Sequence, residues 1–225
     1  MHQQIHAEIE FIVPLDAVEA EHRADAIAWI ASGADLCRVA KPAIPPKHLV
    51  SYFAVVDDKG MLLVDHKNAQ LWLPSGGHVE PGEHPRETVA RELLEELGFN
   101  ASHEIGPPLM ITSTETVGLV AGHTDVSLWY VVRAERGQAL RCDEDEFNGV
   151  RWFDFCEIPF ARADPHLPRF VQKLRSDSTS GGRIIIRTIG AFALSLSFLP
   201  HKNIQRRQHA TLLWLSLIFA RNKPP

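Results

Sequence analysis

Three glutamates of one predicted helix carry the clearest chemical signal in the sequence. Glu92, Glu95 and Glu96 stand at i, i+3 and i+4, a spacing that places all three on one face of a helix. Carboxylates at this spacing repel each other by about 0.2–0.5 kcal/mol per pair on an exposed helix. A hard divalent cation such as Mg²⁺ would turn this repulsion into coordination, because it binds carboxylate oxygens. The alternative interpretation is a solvated acidic face without a ligand.

The residues around these glutamates predict a helix whose approach is a short glycine-rich turn that begins at Pro74. Pro85 suits the first helical position, where its missing N–H is not needed, and Gly98 suits the left-handed position after the last turn. The approach, PSGG at residues 74–77, lets backbone come close to an ion because glycine has no Cβ. An apolar stripe faces away from the glutamates, and its members are Val89, Ala90, Leu93, Leu94 and Leu97.

Residues 77–99 resemble the Nudix box, the signature G-x5-E-x7-R-E-U-x-E-E-x-G-U in which U is a bulky apolar residue. The similarity extends over residues 48–175. It implies an α/β fold of the Nudix type, an α/β/α sandwich built around a mixed β-sheet. Every fixed position of the box is matched, at Gly77, Glu83, Arg91, Glu92, Leu93, Glu95, Glu96, Gly98 and Phe99.

The resemblance implies a binding site for Mg²⁺, with Mn²⁺ as an option. The main ligands would be the carboxylates of Glu92 and Glu96, with Glu95 close by. The backbone carbonyl of Gly77 would add a further oxygen. A metal in this position lowers the pKa of a bound water and neutralises charge on the phosphates, so that water attacks phosphorus.

The remaining catalytic roles come from the same resemblance. Arg91 would orient the acids by a bidentate contact, for which lysine is a poor substitute, and Glu83 would support that network. The general base is open between Glu92 and an acid of the loop at residues 143–146. Within this loop Glu146 is the best positional match, and the alternative is a solvated acidic loop.

The implied activity is that of a pyrophosphohydrolase acting on acid anhydrides. Its substrate would be a nucleoside diphosphate linked to another moiety, such as a nucleoside triphosphate or a related nucleotide. His66 and Lys67 end a predicted strand just upstream of the box, where they could contact substrate phosphates or be ordinary surface charge. Aromatic residues in strands could stack a base but are more often core, and the candidates are Trp72, Trp129, Tyr130, Phe147 and Trp152.

Two other functions are open alternatives. The first is a non-catalytic nucleotide sensor or binding module with a Nudix fold. Such proteins usually lose box acids, and none is lost here. The second is isomerisation of an isoprenoid diphosphate, which would need a cysteine and a glutamate facing each other across a pocket. Cys37, Cys142 and Cys156 show no match to that requirement.

Residues 1–47 are predicted to form a helical N-terminal extension. The pattern of residues 16–30 predicts an amphipathic helix, which Gly33 would end. Residues 36–40 are expected to add one more turn before prolines break the chain. The extension would act as a substrate lid or dimer arm, or it would pack against the domain.

Residues 48–175 are predicted to form the Nudix domain. Runs of β-forming residues predict strands, and a turn at residues 57–60 makes the first two a hairpin. Helices before, within and after the strands indicate a mixed sheet between helices. The predicted strands are residues 48–56, 61–65, 71–73, 108–113, 125–134 and 150–155, and a last helix is predicted over residues 167–174.

Residues 176–225 are predicted to be a linker and a basic, apolar tail outside the domain. Residues 176–182 read SDSTSGG, which is typical of a linker. All 28 acidic residues lie within the first 177, whereas residues 178–225 carry seven basic side chains. The apolar runs at residues 184–199 and 210–220 fall short of the about 20 residues that span a bilayer. Contact of the tail with a membrane surface is an alternative to helical packing or to a tail without a role.

The three cysteines have no C-x-x-C spacing, which argues against a disulfide framework or a zinc site. Their usage favours a reducing, cytoplasmic setting. The first residues lack the charged segment and apolar run of a secretory signal. The predicted partner is a small-molecule nucleotide, with no nucleic acid among the partners. The oligomeric state is open, and a homodimer is one option.

Overall fold

The centre of the fold is a pair of long parallel strands that lie side by side. The computed structural model describes residues 1–40, 44–100, 105–116 and 122–179. The strands are β1 (Lys47–Val56), β2 (Gly60–His66), β3 (Leu71–Leu73), β4 (Ser75–His78), β5 (Met110–Glu115), β6 (Thr124–Arg133) and β7 (Phe147–Asp154). The helices are α1 (His2–Glu10), α2 (Ala17–Ala31), α3 (Pro85–Leu97) and α4 (Leu167–Thr179), with a short 3-10 helix at Phe160–Arg162.

These strands form one seven-stranded mixed sheet. Its order is β3–β2–β1–β6–β5, with β4 paired to β1 and β7 paired to β2. The central pair β1 and β6 runs parallel, from Lys47 opposite Thr124 to Val56 opposite Arg133. The other pairings are antiparallel. The mixed sheet confirms the predicted α/β fold.

Side chains alternate along β1 and so feed a core on each face of the sheet. Phe53 belongs to the core that also contains the apolar stripe of α3. Its neighbour Ala54 belongs to the opposite core, which contains the buried side of α4. In this second core Trp129 of β6 stacks on Phe170 of α4 with ring centroids 5.1 Å apart. The sheet therefore lies between two helical layers, as the α/β/α prediction requires.

The N-terminal helices pack on the first of these cores. Ile5 and Ile9 of α1 are buried there, as are Ala26 and Ile30 of α2. Each fully buried aliphatic side chain contributes about 1.5–3 kcal/mol through the hydrophobic effect. Because the apolar faces of both helices are used in this way, the structure favours packing against the domain over a free arm.

A buried ion pair also joins α2 to α4. The carboxylate of Glu19 is fully buried and accepts hydrogen bonds from the ammonium of Lys173 and from the backbone N–H of Ile111, at 3.3 Å. Nearby, the guanidinium of Arg169 donates to both carboxylate oxygens of Asp16, which also caps α2. A buried carboxylate is tolerated when it is paired and hydrogen-bonded in this manner.

Two local predictions are wrong. Residues 36–40 are not helical, because the carbonyl of Leu36 accepts a hydrogen bond from the backbone N–H of Leu49 at 2.7 Å and holds the segment extended. The second error concerns Ser75–His78, which the sequence predicts to be a turn and which forms strand β4 along β1. Glycines disfavour a strand in isolation, and here the pairing with β1 overrides that preference.

The other elements of the domain follow the predicted order, and their ends move by a few residues. The hairpin turn is confirmed, since the Asp57 carboxylate accepts from the backbone N–H groups of Lys59 and Gly60 at 2.8 and 2.7 Å. Helix α4 includes residues 176–179, which the composition predicts to be linker. The apolar runs of the tail lie outside the described residues. Among the helices that the structure describes, none is long and apolar enough to cross a bilayer.

Candidate active site

Helix α3 places the predicted glutamates above the sheet, and its ends are built as the sequence predicts. Pro85 takes the first helical position, after His84, whose side chain and that of Glu87 form a reciprocal capping box. Gly98 ends the helix in the left-handed region with φ of 75°. The buried stripe of Val89, Leu93 and Leu97 fixes the rotation of the helix on the sheet.

Strand β4 brings backbone against this helix, and its two glycines are required for different reasons. A Cβ on Gly77 would lie 1.8 Å from the Oε1 atom of Glu92. A Cβ on Gly76 would instead lie 2.5 Å from the backbone oxygen of Ser51 on the neighbouring strand. Gly77 therefore makes room for a carboxylate, whereas Gly76 makes room for the strand pairing.

Arg91 is the centre of the hydrogen-bond network. Its Nε donates to Oε1 of Glu83 at 3.0 Å and its Nη2 donates to Oε2 of the same carboxylate at 3.1 Å, a bidentate pair. Its Nη1 donates to Glu92 at 2.7 Å and to Glu95 at 3.3 Å. Nη2 also donates to the backbone carbonyl of His78 at 3.3 Å. The bidentate contact of Arg91 is thus to Glu83, and Glu92 and Glu95 each receive a single bond.

The pKa values of the two predicted main ligands shift in the opposite direction from that of the supporting acid. Burial and the negative charges of Glu92 and Glu146 together raise the pKa of Glu96 to about 8, against a hydrogen bond from Ser75 that lowers it. Burial also raises the pKa of Glu92 above its usual range. Burial would raise the pKa of Glu83 as well, but hydrogen bonds from Arg91 and Thr88 leave it lowered. Glu96 is therefore buried and Glu92 is half-buried beside Arg91, and burial disfavours the charged form of both.

The acidic loop before β7 joins this cluster. Glu146 lies near enough to both main glutamates that its charge raises the pKa of each, and Asp143 adds to the effect on Glu96. Glu95 is more remote: its side chain is 59% exposed, and its contact in the described structure is with Arg91. The structure thus brings together Gly77, Glu92, Glu96 and Glu146, with Glu95 at the margin.

His66 and Lys67 lie beside the acidic loop rather than among the box glutamates. The ring of His66 accepts hydrogen bonds from the backbone N–H groups of Asn68 and Ala69, at 3.2 and 3.4 Å. The ammonium of Lys67 donates to the carbonyl of Glu144. Lys67 also lines a cleft of about 520 Å³, whose other lining residues are Gln70, Asn148 and Arg162. The ring of His66 is therefore engaged by the backbone of the turn that follows it. Lys67, in contrast, lines a neighbouring cleft.

The candidate stacking aromatics fall into two groups. Trp129, Tyr130 and Phe147 are buried in the cores, so they are structural. Trp72 and Trp152 are partly exposed, but the ring of Trp72 packs edge-on against that of Phe153 with the ring centroids 4.9 Å apart. The interpretation as core residues therefore holds for Trp129, Tyr130 and Phe147.

Sequence reasoning missed Ser75, whose hydroxyl donates to the carboxylate of Glu96. Serine is common in turns, so its type carries no signal by itself. Its position two residues before Gly77 could have indicated it, because β4 then points Ser75 and Gly77 to the same face of the sheet.

A mixed sheet between helical layers, with a carboxylate-rich helix against a glycine strand, is the architecture of a Nudix hydrolase. The model of the NUDIX domain family matches residues 46–174, and the chain therefore belongs to that family. Both the resemblance and the fold class predicted from the sequence are confirmed by this match.

Relatives of known name cover parts of the chain. A protein of Bacillus subtilis (strain 168), named provisionally as an 8-oxo-dGTP diphosphatase, is 46% identical over 46 residues, which are 20% of this chain and only 31% of that protein. The oxidized purine nucleoside triphosphate hydrolase of Danio rerio is 33% identical over 113 residues, 48% of this chain and 67% of that protein. The crystal structure of the MutT protein from Methanosarcina mazei Go1 is 18% identical, with a TM-score of 0.49 over 61% of this chain and 97% of that one.

Proposed function

We propose that this Nudix hydrolase cleaves the diphosphate bond of a nucleoside triphosphate or of a related nucleoside diphosphate derivative, and that it does so with Mg²⁺. The observation that carries this proposal is the pair of half-buried Glu92 and buried Glu96, whose pKa values are both raised. A raised pKa means that the charged form lacks compensation within the protein. The substrate class rests on the family.

The residues fit a divalent cation. The backbone of Gly77 lies against the carboxylate of Glu92, where any side chain on residue 77 would collide with it. Glu96 lies beside them, buried to 4% exposure. All of these donors are oxygen atoms, which Mg²⁺ and Mn²⁺ prefer. Gly77, Glu92 and Glu96 would hold the ion, with Glu95 at the edge.

Bound Mg²⁺ would supply a water of lowered pKa and would neutralise charge on the phosphates. The chain's own residues do the rest. Arg91 locks Glu83 in a bidentate pair and holds Glu92 by a third hydrogen bond, so it fixes the carboxylate against Gly77. Ser75 orients Glu96. A proton from the attacking water would pass to Glu146 or Glu92, the two acids that remain candidates for the general base.

The relatives suggest which nucleotides to test first. Both the Bacillus and the Danio rerio proteins carry names that refer to oxidised purine nucleoside triphosphates. The first match spans 31% of its relative, so we propose these substrates for this chain rather than transfer them. Lys67, at the mouth of a cleft beside the acidic loop, is the best placed basic side chain to contact a phosphate.

A substrate panel tests the proposal. The purified protein is incubated with nucleoside triphosphates, oxidised purine nucleoside triphosphates and nucleoside diphosphate derivatives, each with Mg²⁺ and with a chelator. We expect a nucleoside monophosphate and pyrophosphate, or a second phosphorylated product, and no reaction in the chelator. Phosphate release from simple monoesters alone would contradict the proposal. Binding of a nucleotide without turnover would favour the sensor.

The cysteines are consistent with a cytoplasmic protein. Cys37, Cys142 and Cys156 are all free thiols, as expected where thiols stay reduced. We therefore propose a cytoplasmic setting, in which the nucleotide pool would supply the substrate.

A further inference from the structure

Four side chains outside the carboxylate site converge at one end of the central strands. They are His48, His78, His123 and Asp125, and one nitrogen or oxygen atom from each lies within 4.8 Å of all the others. His48 and His123 are buried, with 0% and 5% exposure. The carboxylate of Asp125 has a side-chain exposure of 22%. This group has no part in the proposed hydrolysis.

The sheet register explains why these residues meet. In the parallel pair, His48 of β1 lies directly opposite Asp125 of β6, so both side chains point to the same face. His78 of β4 lies opposite Val50, two residues from His48, and so shares that face. His123 precedes Asp125 by two positions. The cluster therefore occupies the face opposite to Gly77 and α3.

Hydrogen bonds fix which ring nitrogens face the cluster. The Nδ1 atom of His48 lies 2.9 Å from the carbonyl oxygen of Pro45, which can only accept, so Nδ1 carries the proton. The hydroxyl of Thr116 donates to the backbone carbonyl of His123 at 3.1 Å, and the Nδ1 atom of that ring lies 3.1 Å from the same hydroxyl oxygen. In the neutral form each ring then presents the lone pair of Nε2.

These lone pairs point at a carboxylate oxygen. The Nε2 atoms of His48 and His123 lie 3.2 and 3.3 Å from Oδ1 of Asp125. Within the described part of the chain, Oδ1 of Asp125 and the Nε2 atoms of His48 and His78 are buried without a hydrogen-bond partner. Acceptors that face each other without a donor between them are unfavourable. A bound cation would satisfy all of them.

We propose that His48, His78, His123 and Asp125 bind one Zn²⁺ ion. A tetrahedral zinc with bonds of 2.0–2.1 Å places neighbouring ligand atoms about 3.3 Å apart, which matches the two distances to Asp125. Imidazole nitrogen and carboxylate oxygen are ordinary zinc ligands. Pro45 and Thr116 are the outer partners that orient two of the rings. With four protein ligands the site is closed and therefore structural.

The ion would join three strands. His78 directly follows Gly77, so a zinc on this face would anchor β4 to β1 and β6 at the point where β4 meets the box helix. The ion would affect the carboxylate site only by fixing the position of β4, because the two clusters lie on opposite faces of the sheet. The competing arrangement is metal-free, with Asp125 balanced by protonated histidines and by the nearby Arg38.

Zinc content tests the proposal directly. The full chain, prepared without a histidine tag, is loaded with Zn²⁺, dialysed against excess Mg²⁺ and analysed by inductively coupled plasma mass spectrometry. We expect one zinc per chain in the wild type and in Glu92→Gln/Glu96→Gln, because the ion does not sit in the carboxylate site. We expect at least about a tenfold lower content in His48→Gln/His123→Gln. His6→Gln, a histidine outside the cluster, is the matched control.

Because His48 is completely buried, its replacement could unfold the protein, so Asp125→Asn serves as a second variant of equal size. Wild-type protein should melt at higher temperature with zinc than with chelator, and Asp125→Asn should lose most of that difference. Cobalt in place of zinc should give the visible bands of a tetrahedral ion in the wild type and in Glu92→Gln/Glu96→Gln, but not in Asp125→Asn. A wild type that retains no zinc and melts alike in zinc and chelator would overturn the proposal and establish the metal-free ion pair. Equal loss of zinc from Glu92→Gln/Glu96→Gln would also overturn it.

Discussion

Gly77 and His78 are neighbours in β4, yet they serve clusters of opposite chemistry on opposite faces of the sheet. On the Gly77 side, oxygen donors from α3 and the acidic loop repel one another. On the His78 side, imidazole nitrogens surround one carboxylate. The first set of donors suits a hard cation that exchanges and keeps open coordination positions. The second set of donors suits a zinc ion that remains bound. A single strand can therefore separate a reactive site from a structural one by the alternation of its side chains.

The two clusters also differ in how the chain assembles them. The acidic pair comes from one turn of one helix, so Glu92 and Glu96 are close before any tertiary structure forms. The histidine cluster uses residues 48, 78, 123 and 125, which only the pairing of β1, β4 and β6 brings together. Loss of a strand contact should therefore scatter the second cluster and leave the helical spacing of the first intact.

Neutralising either of the two proposed main metal ligands should have the largest effect. Glu92→Gln or Glu96→Gln removes a charged ligand, and a bound metal ion supplies several kcal/mol of transition-state stabilisation. We expect kcat to fall by roughly 10²–10⁴-fold, with the fold retained. Glu95→Gln is the control: its side chain is 59% exposed, so we expect less than about a tenfold loss. Near wild-type turnover in folded Glu96→Gln would contradict the proposed roles.

The adjacent glycines should separate activity from stability. Gly77→Ala would push the flexible carboxylate of Glu92 aside, since the new Cβ lies 1.8 Å from it. We expect kcat to fall at least about tenfold, because small misplacements cost up to about 10²-fold, with little change in unfolding free energy. Gly76→Ala meets the backbone of Ser51 at 2.5 Å, which cannot move aside cheaply.

For Gly76→Ala we therefore expect a loss of about 1–3 kcal/mol in the free energy of unfolding, as for an overpacked core. Denaturant titration of both variants, with kcat measured on the folded fraction, makes the comparison. If Gly77→Ala were the more destabilised of the two, the glycine would be serving the strand pairing rather than the carboxylate.

The acidic site was predictable from the sequence because its information is local. Helical spacing, a start at Pro85 and an end at Gly98 defined α3, and the box pattern named the residues. The carboxylate of Glu146 was predicted only through resemblance, and Ser75 was missed, because both reach the site through strand pairing. The alternation of side chains can identify strands but not the strands with which they pair. Because the glycine-rich β4 is a strand only through its pairing with β1, it was predicted as a turn.

The histidine cluster could not be predicted for the same reason. The cysteine spacing argues against a zinc site, and no local pattern links His48 to His123. Their proximity follows from the register of β1 and β6, in which His48 lies opposite Asp125. Sequence reasoning finds ligands that share a helix and misses ligands that share only a sheet face.

The metal-free protein should lose stability as pH rises. Burial raises the pKa of folded Glu96 to about 8 from an ordinary 4.5, so the folded state holds its proton more tightly than the unfolded state. This contribution is fully present below pH 4.5 and is lost as pH rises towards 8. In chelator, wild type should therefore lose unfolding free energy over this window.

The Glu96→Gln variant cannot ionise at this position, so its stability should fall less steeply over the same pH range. Added Mg²⁺ should restore much of the wild type's loss at high pH, because it binds the ionised carboxylate. Thermal melts of both proteins across the pH range, with and without Mg²⁺, measure the difference. Parallel pH profiles for the two proteins would show that Glu96 ionises without penalty.

Removal of residues 180–225 should have the smallest effect, because both clusters lie within residues 48–146 and the family match ends at residue 174. Among the described residues, Leu174 is the last buried apolar side chain. A chain ending at Thr179 should keep its turnover, its zinc and its unfolding free energy to within about 0.5 kcal/mol. The matched control is a chain ending at Asp164, which lacks α4 and with it the buried Phe170 that stacks on Trp129; it should unfold. If the cut after Thr179 also unfolds the protein or abolishes turnover, the basic tail belongs to the domain, and its predicted boundary is wrong.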